Sequence, residues 1–370
     1  MTAPTPGRPV APPVPAKNGA PAIAPRSAVA LPDMARMLAP LQDGLDPAVI
    51  VVVGPPGTGK TSFAAGAKDP VFLFTDKGGG RTLSKRIHKH RIFPNAWDVV
   101  PGESPTVRVV NEDGVESEEP REYLLQWVRA LLEKPHDRRT AVLDTLNNAQ
   151  TLLYRYLCDV EKVSSIEHVD GGFQKGFTRA AEHMARLRDM VWDLRDRRRM
   201  NVVLTSHQVN RKTKDPSGAD YEAWALAIHP ESADVWMGAA DTILYCEPSI
   251  AVVSSEASGT KDKPKMRTKV DFTGRTIAYT RPARGIQAKN RDMLPATLEL
   301  SWAVYEEESE KGKQIQDDLQ EFLHSLPRAE RAAQEIYMAE NAWSREAALL
   351  VLEQSNTSST ITNEKNGEQS

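Results

Sequence analysis

The stretch Val51–Ser62, VVVGPPGTGKTS, constrains this chain more than any other. An apolar run, Ala48-Val49-Ile50-Val51-Val52-Val53, leads into Gly54-Pro55-Pro56-Gly57-Thr58-Gly59-Lys60-Thr61, which satisfies G-x-x-x-x-G-K-[ST] in full. Ser62 and a helix-compatible FAAGA follow. A strand, a glycine-rich turn and a helix N-terminus make an anion cradle, because backbone N–H groups converge on a phosphate chain and the helix dipole favours negative charge. Gly59 lets the backbone approach the phosphates. Lys60 is placed to reach the β- and γ-phosphates, and Thr61 to put its hydroxyl on Mg²⁺. Residues Gly54 to Ser62 are the expected site for ATP with Mg²⁺.

Three further runs resemble the one before the loop: Val71-Phe72-Leu73-Phe74, Thr140-Ala141-Val142-Leu143 and Asn201-Val202-Val203-Leu204-Thr205. Continuous apolar runs suit strands buried on both faces. Helical patterns separate most of them, over residues 121–133, 147–162 and 177–200. In the last, Ala180, Met184, Leu187, Val191 and Leu194 mark one helix face. Such alternation predicts right-handed crossovers and a mostly parallel, doubly wound α/β sheet. The run Arg195-Asp196-Arg197-Arg198-Arg199 reads as cations favoured at a helix C-terminus. Residues 208–232 read as a polar loop, Thr242–Cys246 as a strand, and 254–264 as a hairpin tip with strands near 268–272 and 276–279 after it.

The expected organisation is a disordered Pro/Ala-rich tail over 1–32, an ATPase domain over 33–302, a helical extension over 303–354 and a disordered polar end over 355–370. The first segment contains no Asp or Glu and too little apolar surface to offset the entropy of ordering it. A short helix is expected near Met34–Leu41. From Ala303 to Glu340 ten Asp or Glu stand against four Lys or Arg, which marks the extension as acidic.

The net charge of -3 over 370 residues excludes a chain that coats nucleic acid everywhere, and leaves room for a local basic groove. Cys158 and Cys246 stand far apart, so neither a disulfide framework nor a zinc site is implied, and a reducing cytoplasm is the expected location. No apolar run approaches the roughly 20 residues of a membrane span, and no apolar signal-peptide core opens the chain.

Asp144 closes the third apolar run and is the expected second metal-site residue beside Thr61. The spelling GPPGTGKT is common in AAA+ ATPases, whose metal strand ends in Asp-Glu with the Glu polarising the attacking water. Here the pair is Asp144-Thr145, so the water-activating carboxylate must come from elsewhere. The best donor is Asp76 in Phe74-Thr75-Asp76-Lys77-Gly78-Gly79-Gly80, on the expectation that the strand neighbouring the phosphate loop delivers it from its C-terminal end. A simple turn is the other reading of Asp76. In Leu204-Thr205-Ser206-His207-Gln208, His207 is the first choice as sensor of the γ-phosphate and Gln208 the second. Lys289 and Arg291, two apart, point the same way in a strand. They are either a surface pair or cations that stabilise transition-state charge across a subunit boundary.

In order along the chain, GPPGTGKTS, FTDKGGG, AVLDTL, MARLRDMVWDLRD, VVLTSHQ and AKNR resemble the RecA-like ATPases. More narrowly, they resemble the phage nucleotide-binding family of RecA-like single-strand annealing proteins, from about Val49 to Arg291. The resemblance implies a RecA-type core, ATP with Mg²⁺, oligomerisation on single-stranded DNA as a ring or filament, and a role in recombination or annealing. It puts Asp76 in the place of the catalytic Glu, His207 in that of the sensor, and Lys289 and Arg291 in that of paired cations reaching a neighbour's nucleotide. Asp76 is one methylene shorter than Glu, and His207 stands where most RecA relatives have Gln.

Ten Lys or Arg against two Asp lie between Lys261 and Arg291, and five basic residues with two His between Arg81 and Arg91. Arg211, Lys212 and Lys214 add to these. A basic rim formed by loops at one end of the sheet would suit salt-dependent, sequence-tolerant contact with single-stranded DNA. Tyr221 and Trp224 are placed to stack on bases or to pack in the core. The expected function is a DNA-stimulated ATPase of recombination or annealing. The alternatives are a nucleotide-gated DNA-binding or scaffold protein with little hydrolysis, and a hexameric helicase-like motor.

Overall fold

The computed structural model describes residues 47–75, 106–110, 116–120, 123–214, 218–258, 265–283 and 285–354. All the elements below belong to the unit Leu45–Ser370. The segments 1–32, Met34–Leu41, Asp76–Arg91 and 355–370, each given a role above, lie outside the described residues.

The four apolar runs are strands: β1 (Val49–Val53), β2 (Pro70–Phe74), β5 (Thr140–Asp144) and β6 (Asn201–Ser206). Their side chains alternate between the two faces of one sheet. Val49, Val51 and Val53 join one core cluster with Leu143, Leu204 and Ile243. Ile50 and Val52 join another with Phe72, Val142, Val203 and Leu244. Both faces are buried, so a run needs no polar positions, and this is why these strands read as unbroken apolar sequence.

The sheet runs β12-β10-β9-β1-β6-β5-β2, with β11 (Lys289–Asn290) also pairing to β9 (Thr242–Ser258). β9, β1, β6, β5 and β2 are parallel neighbours. β10 (Lys265–Tyr279) and β12 (Thr297–Glu299) extend the sheet antiparallel. Two short hairpins stand apart, β3 (Thr106–Val110) with β4 (Glu116–Pro120), and β7 (Gln208–Thr213) with β8 (Tyr221–Leu226).

Helix α1 (Lys60–Ala65) covers one face, with Phe63 against Trp302 and Tyr305 at ring separations of 5.4 and 5.9 Å. The other face is covered by α2 (Tyr123–Glu133), α3 (Leu146–Glu161), α4 (Lys175–Arg198) and α5 (Pro230–Ala239). Ala180, Met184, Leu187, Val191 and Leu194 are all buried along α4, as the step of three and four residues requires. Beyond the sheet, α6 (Trp302–Ser325), α7 (Arg328–Glu340) and a helix over 345–354, α8, enclose a smaller cluster around Ile315, Leu319, Met338 and Ala348.

Three expectations change. The polar stretch 208–232 is a hairpin followed by the start of α5, not a loop; β7 alternates partly buried and exposed side chains, a strand pattern that its Arg, Lys and Asn residues conceal. The two strands near 268–272 and 276–279 are one strand, β10, with an irregularity between Phe272 and Thr276. Finally, β2 does not neighbour the phosphate-loop strand. It pairs with β5, while β6 lies between β5 and β1. A strand-to-strand crossover need not return to the adjacent position, and hydrophobic patterning does not specify how many positions it skips.

Candidate nucleotide site

The loop Gly54–Gly59 leaves the C-terminal end of β1. Gly57 and Gly59 take φ of +85° and +87°, values that only glycine adopts without steric cost. A Cβ built on either meets nothing within 4 Å, so backbone conformation, not packing, calls for glycine at both. Gly54 is different: its Cβ would lie 2.5 Å from the Cys246 carbonyl of β9, so packing excludes any side chain there. The Gly54 N–H donates to Ser206 O at 3.2 Å, tying the loop to the end of β6.

Lys60 is buried and bends back over the loop. Its ammonium donates to Gly54 O at 2.8 Å and Pro55 O at 2.7 Å. Neither carbonyl neutralises it. Burial pulls its pKa below the usual lysine value, against the opposite pull of the Cys246 sulfur and Asp144. Cys246, almost wholly buried, is pushed up to about 12 by the same desolvation.

Asp144 ends β5 and is buried. Thr61 Oγ1 donates to its Oδ2 at 2.7 Å and Thr205 Oγ1 to its Oδ1 at 2.5 Å. Because β6 lies between β5 and β1, Thr205 is the residue that bridges the gap. Thr145 caps α3, its side chain accepting from Asn148 N–H. The Thr145 backbone N–H and C=O are both held by the Thr75 hydroxyl at 2.8 and 2.9 Å.

The residue set fits Mg²⁺ bound with a phosphate chain. Among the described residues no group of three His, Cys, Asp or Glu is gathered for a cation. Thr61 with Asp144 supplies a hydroxyl and a carboxylate, which suits an ion that keeps its waters and takes its remaining oxygens from phosphates. The glycine loop and its buried lysine suit the phosphates themselves.

His207 follows Ser206 directly. Its backbone N–H donates to Asn147 Oδ1 at 2.8 Å, and its carbonyl accepts from Ala227 N–H at 2.9 Å. It therefore sits beside Gly54, at the junction between the loop and the β7–β8 hairpin. Gln208 begins that hairpin. Asp76 lies outside the described residues, but Thr75 N–H donates to Asp144 O at 2.9 Å, so the chain leaves β2 next to the Asp144 strand.

Lys289 and Arg291 stand at the other end of the sheet. β11 pairs Lys289 with Ile243 and Asn290 with Thr242, at the start of β9. β1 runs about 13 Å from that level to the loop. Lys289 Nζ donates to Met237 O and Gly238 O at 3.3 and 3.0 Å, at the C-terminal end of α5 where a cation is favoured. Arg291 donates to Asp241 Oδ1 at 3.1 Å, and Arg195 to Asp241 Oδ2 at the same distance. Asp241 Oδ2 also accepts Val49 N–H at 2.9 Å. These cations are therefore not part of their own chain's phosphate site.

A family model described as AAA domain (AAA_24) matches residues 46–292. The chain belongs to that AAA-domain family. No curated protein matches the sequence. Among solved structures, one titled as a DnaB-like replicative helicase and its interactions with primase is similar at 11% identity and a TM-score of 0.28. The likeness covers 66% of this chain and 58% of that one, so this chain spans less than two thirds of the helicase chain. The AAA-domain chain has a RecA-like P-loop α/β core: the loop strand and the Asp144 strand are separated by β6, with crossover helices on both faces.

The basic rim takes a different form from the expected one. β9 and β10 run as a long hairpin that continues past the end of β1. The basic positions of β10, Lys265 to Arg275, are therefore strung along a strand of about 50 Å, and Lys289 and Arg291 stand at the opposite end of the sheet, so these described residues are not gathered on one rim. In the β7–β8 hairpin, Arg211 donates to Ile228 O and Lys212 pairs with Asp220 at 2.9 Å. Trp224 is 40% exposed, with its backbone N–H on Gly285 O, and Tyr221 is half-buried. Among the described residues no helix is long and apolar enough to cross a membrane.

Four residues of this layout escape sequence reasoning: Thr205, Asn147, Thr75 and Asp241. Thr205 carried a signal, a hydroxyl inside an apolar strand. Asn147 carried a weaker one, an amide in the first turn of an otherwise apolar-faced helix.

Proposed function

We propose that this chain is a Mg-ATP-dependent ATPase that assembles on single-stranded DNA as a homo-oligomer and supports recombination or annealing of the phage type. The observation that carries this reading is Lys60, a buried cation hydrogen-bonded to backbone carbonyls alone and lying under the glycine loop, with Thr61 and Asp144 beside it. In this reading Lys60 and the loop N–H groups hold the β- and γ-phosphates. Mg²⁺, when bound, supplies charge neutralisation on those phosphates. Thr61 and Asp144 orient it, and Thr205 holds Asp144. Asp76, the next residue in sequence after Thr75, takes a proton from the attacking water, and His207 reads the γ-phosphate.

Lys289 and Arg291 lie at the far end of their own sheet, so in this reading they act on the phosphate loop of a second copy, not on their own. The partly exposed β7–β8 hairpin, which follows His207 without a break, supports a DNA surface that nucleotide controls.

The test is ATP turnover with and without single-stranded DNA across a salt series, for wild type and Lys60→Ala. No turnover in either condition would sink the enzyme reading. Turnover indifferent to DNA would remove its DNA half. The second reading, a nucleotide-gated binding protein with little hydrolysis, is favoured by Thr145, which stands where a water-activating carboxylate would be and is locked onto Thr75. Tight ATP binding without turnover, unaffected by Asp76→Ala, would establish it.

A further inference from the structure

The Asp144 strand end and the β7–β8 hairpin share one side chain. Asn147 lies in the first turn of α3, three residues past Asp144. Its Oδ1 accepts His207 N–H at 2.8 Å and the Ser206 hydroxyl at 3.3 Å, where β6 becomes β7. Its Nδ2 donates to Ala227 O at 2.6 Å, just after β8. Ala227 N–H closes the ring by donating to His207 O at 2.9 Å. One amide thus holds both roots of the hairpin, and it uses a donor on one and an acceptor on the other.

The same helix turn is anchored to the phosphate loop. Asp144 receives Thr61 of α1 and Thr205 of β6, and Ser206 O receives Gly54 N–H. A displacement at Thr61 or Gly54 therefore reaches the hairpin roots by two short routes, one through α3 and one through the end of β6. Both routes meet at Asn147.

We infer that Asn147 is a positioning residue that couples occupancy of the phosphate loop to the β7–β8 hairpin. The inference rests on the reading of the loop as an ATP site. Coupling requires an element that both sites bias, and the hairpin, held at its roots by the Asn147 ring, is that element.

The test is amide hydrogen exchange over β7 and β8, with and without Mg²⁺ and a slowly hydrolysed ATP analogue, alongside the analogue's affinity. In the wild type the analogue changes exchange across the hairpin. In Asn147→Ala the affinity stays within about threefold, and the analogue-induced change falls at least about fivefold. Asn147→Asp is isosteric and keeps the acceptor for His207, but turns an oxygen toward Ala227 O. It loses the response as well, and it serves as the working variant if Asn147→Ala does not fold. The readout is the ratio of exchange with and without analogue, which a uniformly loosened hairpin leaves unchanged. A full response in either variant, or a wild-type hairpin indifferent to bound analogue, overturns the inference. A wild type that binds no analogue overturns the ATP reading itself.

Discussion

The two ends of the central sheet treat their cations differently. At the C-terminal end, Lys60 is buried against two carbonyls of the glycine loop. At the N-terminal end, Arg195 and Arg291 share Asp241, and Lys289 caps α5. Burial lowers the pKa of both lysines, and Arg291 adds to the effect on Lys289. The difference lies in what answers the charge. One end answers its cations with direct ion pairs and a helix terminus; at the other the ammonium touches two carbonyls, and the nearby Asp144 offsets only part of the effect of burial. A buried cation whose charge is only partly answered is costly, and it is tolerated where a ligand brings the rest.

The largest test of this contrast is Lys60→Ala. Losing the one buried cation at the loop is expected to cut ATP turnover by about 10²- to 10³-fold, the size seen when a positioned electrostatic group is removed. Steady-state kinetics with wild type in parallel checks it, and near-normal turnover would break the comparison. Asp241→Ala comes next. It strips the partner from two guanidiniums and from Val49 N–H, in a site where Asp241 is 14% exposed. A loss of about 3 kcal/mol is expected in denaturant unfolding.

Cys246 gives a smaller, pH-dependent effect at the loop end. Its pKa is raised by burial to about 12 from an ordinary 9.0, so above pH 9 the unfolded chain loses a proton that the native chain keeps. Its contribution is intact below pH 9 and is lost progressively as pH rises from 9 toward about 12. Unfolding midpoints for wild type and Cys246→Ala at pH 8 and pH 10 measure the difference, which should shrink at the higher pH. The smallest effect is Arg291→Ala. The side chain is 59% exposed, so its ion pair with Asp241 contributes less than about 1 kcal/mol. If unfolding barely changes while oligomer-dependent turnover collapses, Arg291 acts on a neighbour. If both are unchanged, it is only a surface partner of Asp241.

Much of the core was legible because it follows short-range rules. Val49–Val53 and Asn201–Ser206 read as strands from apolar runs, and α4 from a step of three and four residues. The phosphate loop was legible for a stronger reason: its spelling is a backbone requirement, visible in the positive φ of Gly57 and Gly59. The β7–β8 hairpin was missed because Gln208–Thr213 carries no apolar alternation; its pairing to Tyr221–Leu226 holds polar residues in a strand. The neighbour of β1 was missed because strand order is set by where each crossover helix can pack, and nothing local in Val71–Phe74 encodes that.

By itself, then, the sequence determined the ligand class and the alternation of strand and helix, since both depend on residues within one turn or one strand of each other. Only the tertiary structure decided that Thr205 spans the gap to Asp144, that Asn147 holds both roots of the β7–β8 hairpin, and that Lys289 and Arg291 stand at the opposite end of the sheet from their own phosphate loop. Each of these depends on the order in which strands lie side by side. That order is the outcome of burying both sheet faces at once, a long-range packing condition that no stretch of the chain carries alone.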